Sequence, residues 1–271
     1  MTDGNRRTRR TFLAALSTTP LLAGCLGTTG SSGSESGMET DSHSGDDGGM
    51  SNATATATTQ STAEAESTEA STATPTSNQS EASVAISHVA ATDAGNEPTL
   101  GPAPGEGKAT IIAYEDPSCP SCQEFETGTF PELRKKLIEP GELSFVYRTY
   151  PHVQSWAMPA TQTLEAAYAH NPDAFWQLKA HFYEEQGSFS SNNVFSKVET
   201  FLSAETNVDA AVVVEEAKNG EYDAAIQADE QVRKEAGVKY TPTFFMFRDG
   251  EYRTKAVGSQ SYSVFKNSLG L

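Results

Sequence analysis

The chain has 271 residues, a length suited to one or two domains, and a formal net charge of −17. So acidic a surface repels phosphate backbones, which argues against nucleic acid as a partner. The acidity persists from Ser83 onward, where 15 basic residues stand against 26 acidic ones; dense carboxylates keep a protein hydrated in high salt, and we expect a salt-loving source such as a halophilic archaeon.

The start of the chain reads as an address. In "TRRTFLAALSTTPLLAGC", Arg9 and Arg10 precede Thr11, Phe12 and Leu13, and a short apolar run follows to Ala23. A basic stretch before about a dozen apolar residues is an export signal, too short to stay in a bilayer as a spanning helix. The arginine pair followed by Phe-Leu resembles a twin-arginine (Tat) signal. The run closes on Leu22-Ala23-Gly24-Cys25, which resembles a lipobox; that resemblance implies lipidation of Cys25 and residues 1–25 as signal.

From Gly27 to Glu81 the chain has no Phe, Trp, Tyr, Leu, Ile or Val. Such a stretch cannot bury enough apolar area to offset the entropy of ordering, so residues 26–82 are expected to be a disordered, Ser/Thr/Ala/Gly/Glu-rich tether. At ~5–6 Å × √n, its root-mean-square reach is roughly 40–50 Å. Asn52-Ala53-Thr54 and Asn78-Gln79-Ser80 are glycosylation sequons within it. Residues 83–102 are expected to be an irregular lead-in to one folded domain over 103–271.

In that domain "ATIIAY" (109–114) is short, continuous and β-rich, a buried strand. A Cys119-Pro120-Ser121-Cys122 motif follows, and helical spacing then runs through Phe125, Leu133 and Leu137, with Pro131 expected to kink or split the helix. "GELSFVYRTY" alternates at Leu143, Phe145 and Tyr147, which predicts a second strand and closes a right-handed βαβ unit. Residues 155–237 favour helices; Asn171 before Pro172 is a good N-cap and first-turn pair, and Asn207 or Asp209 suits another cap. "TPTFFMF" and "EYRTKAV" flank Arg248-Asp249-Gly250, a hairpin signal, and "SYSVFKNSLGL" ends the chain as a short amphipathic helix. The fold class is therefore α/β, a βαβ half and a ββα half separated by helices.

One CxxC alone leaves open a redox couple, half a metal site or a structural disulfide. Four features taken together resemble the DsbA-like branch of the thioredoxin superfamily: "YEDPSCPSC" after the first strand, "ELSFVYRTYP" as the next, the helical insertion, and "GVKYTPTFF" near the end. The resemblance implies a thioredoxin fold with a helical insertion, and thiol–disulfide exchange through a Cys119–Cys122 pair. Cys119 would be the attacking thiol at a helix N-terminus and Cys122 the more buried resolving thiol. Pro120 and Ser121 would tune the thiolate, and Thr241-Pro242, with a cis peptide bond, would pair with an extended substrate chain. It also implies cysteine-containing exported proteins as substrates, a membrane or extracytoplasmic redox partner, and no cofactor. Relatives place an acid six positions before the first cysteine, where this chain has Ala113. Glu115 or Asp116 then becomes the candidate for moving the proton of the buried thiol, and Asp116 is equally suited to capping the active-site helix.

Zinc wants four N or S ligands, and the one other cysteine is Cys25 beyond the tether, so no metal is expected. A purely structural CxxC closes too short a loop to stabilise much. His152 reads as a surface residue, and Trp156, Phe175, Trp176, Phe182 and Tyr183 as the insertion's own core. The favoured reading is an exported, membrane-tethered disulfide oxidase on the outer face of the cytoplasmic membrane. The same residues suit a reductase or isomerase, and a non-catalytic peptide-binding module is the rival of a different class.

Overall fold

Ala109–Glu115 (β2) is buried over its whole length, because a second layer of chain covers each face of the sheet it centres. The computed structural model describes residues 85–271. Arg9, Arg10, Cys25, the sequons and the tether lie outside the described residues. β2 pairs in parallel with β3 (Leu143–Thr149), Ile111 opposite Phe145, and antiparallel with β4 (Thr243–Arg248), Ile111 opposite Met246. With β1 (Thr99–Leu100) and β5 (Glu251–Val257) at the edges, the sheet order is β1-β3-β2-β4-β5.

The βαβ half, the insertion and the ββα half stand in the expected order. Asp249 and Gly250 both take positive φ in the β4–β5 turn, the left-handed pair that a tight hairpin needs. The lead-in differs from expectation: rather than staying irregular to residue 102, it supplies β1 and two 3-10 turns, Val89–Ala91 and Ala94–Asn96. Its Ala90 and Ala94 pack with Ile112, Tyr114, Val146, Phe245 and Phe247 on one sheet face. That burial explains why β3 is buried on both sides although its sequence alternates. Ser144 and Arg148, which looked solvent-facing, lie under this layer: Ser144 Oγ donates to Ala103 O at 3.0 Å, and Arg148 pairs with Asp229 at 2.6 Å.

The other face carries the active-site helix and the closing helix. Pro131 does not split the former. The chain stays helical from α1 (Pro120–Glu124) through a π-helical stretch (Phe125–Thr129), α2 (Phe130–Leu133) and a second π stretch (Arg134–Ile138). A proline lacks the N–H for the regular ladder and crowds the carbonyl four residues back; widening the turn ahead of it absorbs both problems. The helix then keeps Phe125, Phe130, Leu133 and Leu137 on the sheet, beside Phe265 and Leu269 of α8 (Tyr262–Leu269).

Between β3 and β4 lie α3 (Ala157–His170), α4 (Pro172–Glu184), α5 (Val194–Glu205), α6 (Ala210–Lys218) and α7 (Asp223–Glu235). Asn171 caps α4 by accepting from Asp173 N, and Asp209, rather than Asn207, caps α6 by accepting from Val212 N. Trp156, Phe175 and Phe182 sit in this insertion's core, and Trp176 packs against both it and the sheet. Tyr183 departs from expectation. It leaves the insertion core and packs on the two cysteines. Among the described residues no helix is long and apolar enough to cross a membrane.

Candidate functional site

β2 ends at Glu115, and the chain turns through Asp116, Pro117 and Ser118 into Cys119, the N-cap of α1. Pro120 occupies the first helical position, where its missing N–H costs nothing because the first-turn donors have no partner in the helix. Cys119 is extended, at φ −82 and ψ 121, and the backbone N–H groups of Ser121 and Cys122 face its sulfur. Across from it, the Thr241-Pro242 peptide bond is cis, and the Cys119 thiol donates to Thr241 O at 3.4 Å. The Pro242 carbonyl accepts from Gly258 N at 2.8 Å, and Ser121 Oγ accepts from Ser259 N at 3.1 Å. The fold thus brings CPSC, Thr241-Pro242 and the loop after β5 to one place.

Both cysteines are thiols here, Cys119 6% exposed and Cys122 fully buried. Their acidities are driven apart. The neighbouring Cys122 thiol, then the Thr241 side chain and the Cys122 and Ser121 amides, lower Cys119 to about 5 against the opposing effect of burial. Burial first, then its bond to Cys119 and the nearby Glu115 charge, push Cys122 well above the usual thiol range. One thiol is therefore a thiolate at neutral pH and its neighbour is not, which is the asymmetry that exchange requires.

Asp116 does not cap α1; Cys119 occupies the N-cap position. The Asp116 carboxylate is instead fully buried and saturated, Oδ1 accepting from Ser118 N and Ser118 Oγ at 2.7 Å each, Oδ2 from His152 N and Val153 N at 2.8 Å. It pins the loop after β3 to the cysteine turn. His152 is half-exposed, as expected, and stacks on Tyr150 with ring centroids 3.9 Å apart.

Ala113 packs in the apolar core, so the buried acid of this site is Glu115, fully enclosed beside Cys122. It faces Glu126 and Tyr183 without a hydrogen bond of regular geometry to either. Glu126 in turn pairs with Lys179 at 2.6 Å, and the Lys179 ammonium sits 4.5 Å from the centre of the Phe130 ring. Two carboxyls and one ammonium share this buried space. Burial, and then the Glu126 charge, raise Glu115 well above the usual carboxylate range. A cavity of about 300 Å³ lined by Glu126, Phe130, Trp176, Lys179 and Tyr183 opens on the far side of the cluster.

Sequence reasoning missed Glu126, Lys179, Tyr183 and Gln186. Gln186 Nε2 donates to Pro117 O at 2.8 Å and to Cys119 O at 3.1 Å. Tyr183 reads as insertion core, and no local motif marks the other three. The usable signals are Glu126 four residues before Phe130 and Lys179 within the apolar spacing Phe175, Leu178, Phe182 of α4.

A sequence profile of the family described as thioredoxin matches residues 93–263. "Disulfide bond formation protein D" of Bacillus subtilis (strain 168) is 22% identical over 151 residues, covering 55% of this chain and 67% of that one. Among solved structures, BdbD from Bacillus subtilis in its oxidised form superposes with a TM-score of 0.58 at 17% identity, over 70% of this chain and 99% of that one. Wolbachia pipientis alpha-DsbA1 gives 0.55 at 18% identity, over 65% and 89%.

Proposed function

The chain belongs to the thioredoxin family, and on that premise we propose that it is an exported, lipid-anchored oxidase that introduces disulfides into extracytoplasmic proteins through Cys119 and Cys122. One observation carries the reading: Cys119 is held at about 5 opposite Thr241-Pro242 while Cys122 is pushed up. A stabilised Cys119 thiolate lowers the reduced form in free energy, and a pair whose reduced form is stabilised is an oxidant. The relatives named for disulfide bond formation support that direction. Residues 1–25 support the export and lipid anchoring.

In the oxidase direction a substrate thiolate attacks Cys119 Sγ, and the Cys119–Cys122 bond breaks. Cys122 leaves with the electron pair and, being a poor acid in its buried position, must gain a proton. Glu115, whose hold on its proton is strengthened by burial, is the acid beside it that is placed to give one. The substrate's second thiolate then attacks its own sulfur in the mixed disulfide, and Cys119 leaves as the stabilised thiolate. Two electrons pass to the enzyme, and a disulfide-bearing partner at the membrane removes them. Glu115 recovers its proton from solvent by way of the side cavity that Glu126 and Lys179 line.

The equilibrium reduction potential tests the direction. An oxidase is expected nearer to roughly −120 mV than to roughly −270 mV, and the lower value makes the protein a reductase. Its pH dependence is equally informative. Reduction takes up one proton above the Cys119 pKa of about 5, because only Cys122 binds one, and two protons below it. The potential should fall with rising pH by about 30 mV per unit above that point and by about 59 mV per unit below it. A slope of about 59 mV through pH 8 shows two ordinary thiols and removes the argument for an oxidase.

Glu115→Gln keeps the shape of the neutral carboxyl and loses its proton. Formation of the mixed disulfide should slow by roughly a hundredfold, the low end of what a positioned acid contributes. The wild-type rate should decline as pH rises through the elevated Glu115 pKa, whereas the Gln variant should show no such decline. Equal rates and pH profiles for the two proteins remove Glu115 from the mechanism.

A further inference from the structure

We propose that Gln186, which opens the 3-10 turn Gln186–Ser188 just after α4, is a positioning residue for the redox pair, its single carboxamide nitrogen fixing the backbone of the cysteine turn from outside the thioredoxin halves. The proposal rests on the reading of Cys119–Cys122 as a redox couple. The Gln186 side chain is buried, and its Nε2 donates to Pro117 O at 2.8 Å and to Cys119 O at 3.1 Å, spending both of its hydrogens on that turn. The Cys119 carbonyl takes a second bond from Gln123 N at 3.0 Å, and the Cys119 N–H donates to Asp116 O at 3.0 Å. Cys119 is thus held on both sides in the extended conformation that lets it serve as N-cap, with its sulfur toward the Ser121 and Cys122 amides.

The residue type matters. A carboxamide carries two donors on one neutral nitrogen, so it can bridge two carbonyl oxygens without placing a charge beside the sulfur. A serine reaches neither, and a lysine would add a cation. Without the bridge, two buried carbonyl dipoles lose a donor in the space next to a thiolate, and the turn is free to relax away from the N-cap geometry. The insertion touches the pair in two further ways: the Tyr183 ring packs on both cysteines, and Gln123 Nε2 donates to Tyr183 O at 2.8 Å. Only the Gln186 contact grips the backbone of Cys119 itself.

The experiment compares wild type with Gln186→Leu, Gln186→Met and Gln123→Leu in the full chain, with thermal melting to show that each is folded. Thiolate absorbance against pH gives the Cys119 titration, and equilibration in a dithiol series gives the potential. The titratable groups around Cys119, namely Cys122, Tyr183 and Glu115 beneath them, are the same in every protein. Gln186→Leu should raise the Cys119 midpoint by about one unit, the size of one lost hydrogen bond. The potential should fall by about 30 mV, the equivalent of tenfold in the exchange constant. Gln186→Met keeps the side-chain length without a donor or a charge and should shift as far, which keeps the test intact if the leucine variant misfolds. Gln123→Leu cuts the other tie to the insertion and should titrate like wild type. Folded Gln186 variants with an unshifted midpoint and potential overturn the proposal, as does an equal shift in Gln123→Leu. A wild-type pair that never behaves as one two-electron couple overturns the oxidase reading and this proposal together, so the two failures are distinguishable.

Discussion

Cys122→Ser is expected to accumulate as a mixed disulfide with substrate, and Cys119→Ser to lose turnover altogether, by on the order of a thousandfold or more. The asymmetry follows from burial and acidity. Cys119 lies against Thr241, slightly exposed and ionised at neutral pH, whereas Cys122 is fully enclosed and protonated. A Cys119→Ser protein has no reachable sulfur, so it can neither accept nor attack. A Cys122→Ser protein keeps the reactive thiolate, reacts with a substrate disulfide, and has nothing within reach to release the product. Non-reducing gels with a reduced and a scrambled two-disulfide protein distinguish the outcomes. If Cys119→Ser still oxidises thiols at a substantial fraction of the wild-type rate, the assignment of the two cysteines is wrong. If neither variant changes anything while extended peptides still bind, the domain is a binding module.

The parts of this site that the sequence reveals are those set by local chemistry. CPSC between a strand and a helix, Asp249-Gly250 in a turn and Asn171-Pro172 at a helix start each satisfy a backbone requirement within a few residues, so adjacent letters are enough. The hidden parts depend on which face an element buries. Gln186 lies 67 positions from Cys119, and its value comes from where α4 ends. Glu126 stands four residues before Phe130, and Lys179 four after Phe175 and three before Phe182, so both fall on the apolar stripe of their helices. A charged residue on such a stripe signals a buried pair, but the partner becomes visible only once α4 is laid against the active-site helix. Arg148 is hidden for another reason. Alternation in β3 marks one face as core, and the lead-in residues that cover the other face look like loop.

That second face produces the largest expected loss of stability. Arg148 and Asp229 are 1% and 2% exposed, joined at 2.6 Å, and Asp229 also accepts from Thr149 N at 3.0 Å. The Arg148 guanidinium donates in addition to Thr92 O and lies 3.5 Å from Glu97. The network therefore ties β3, α7 and the lead-in together beneath the sheet. Asp229→Leu strands a buried guanidinium and should cost about 3–5 kcal/mol in urea unfolding, a large share of the roughly 5–15 kcal/mol that holds a domain of this size together. Arg148→Met with Asp229→Leu removes both partners of the closest pair, though Glu97 loses its contact with Arg148 as well, and should recover part of that loss. The double variant also separates the two charged clusters of the fold. Arg148 and Asp229 lie across the sheet from Cys119, so a refolded double variant should keep the wild-type potential, whereas substitutions at Glu115 or Gln186 should change redox behaviour. A single variant that loses under about 1 kcal/mol shows that water or Glu97 satisfies Arg148 without Asp229. A double variant with an altered potential shows that this network shapes the cysteine turn as well as the fold. The loop after β3 is the path such an effect would take, since Arg233 of α7 stacks 4.1 Å over Tyr150, and His152 and Val153 donate to Asp116.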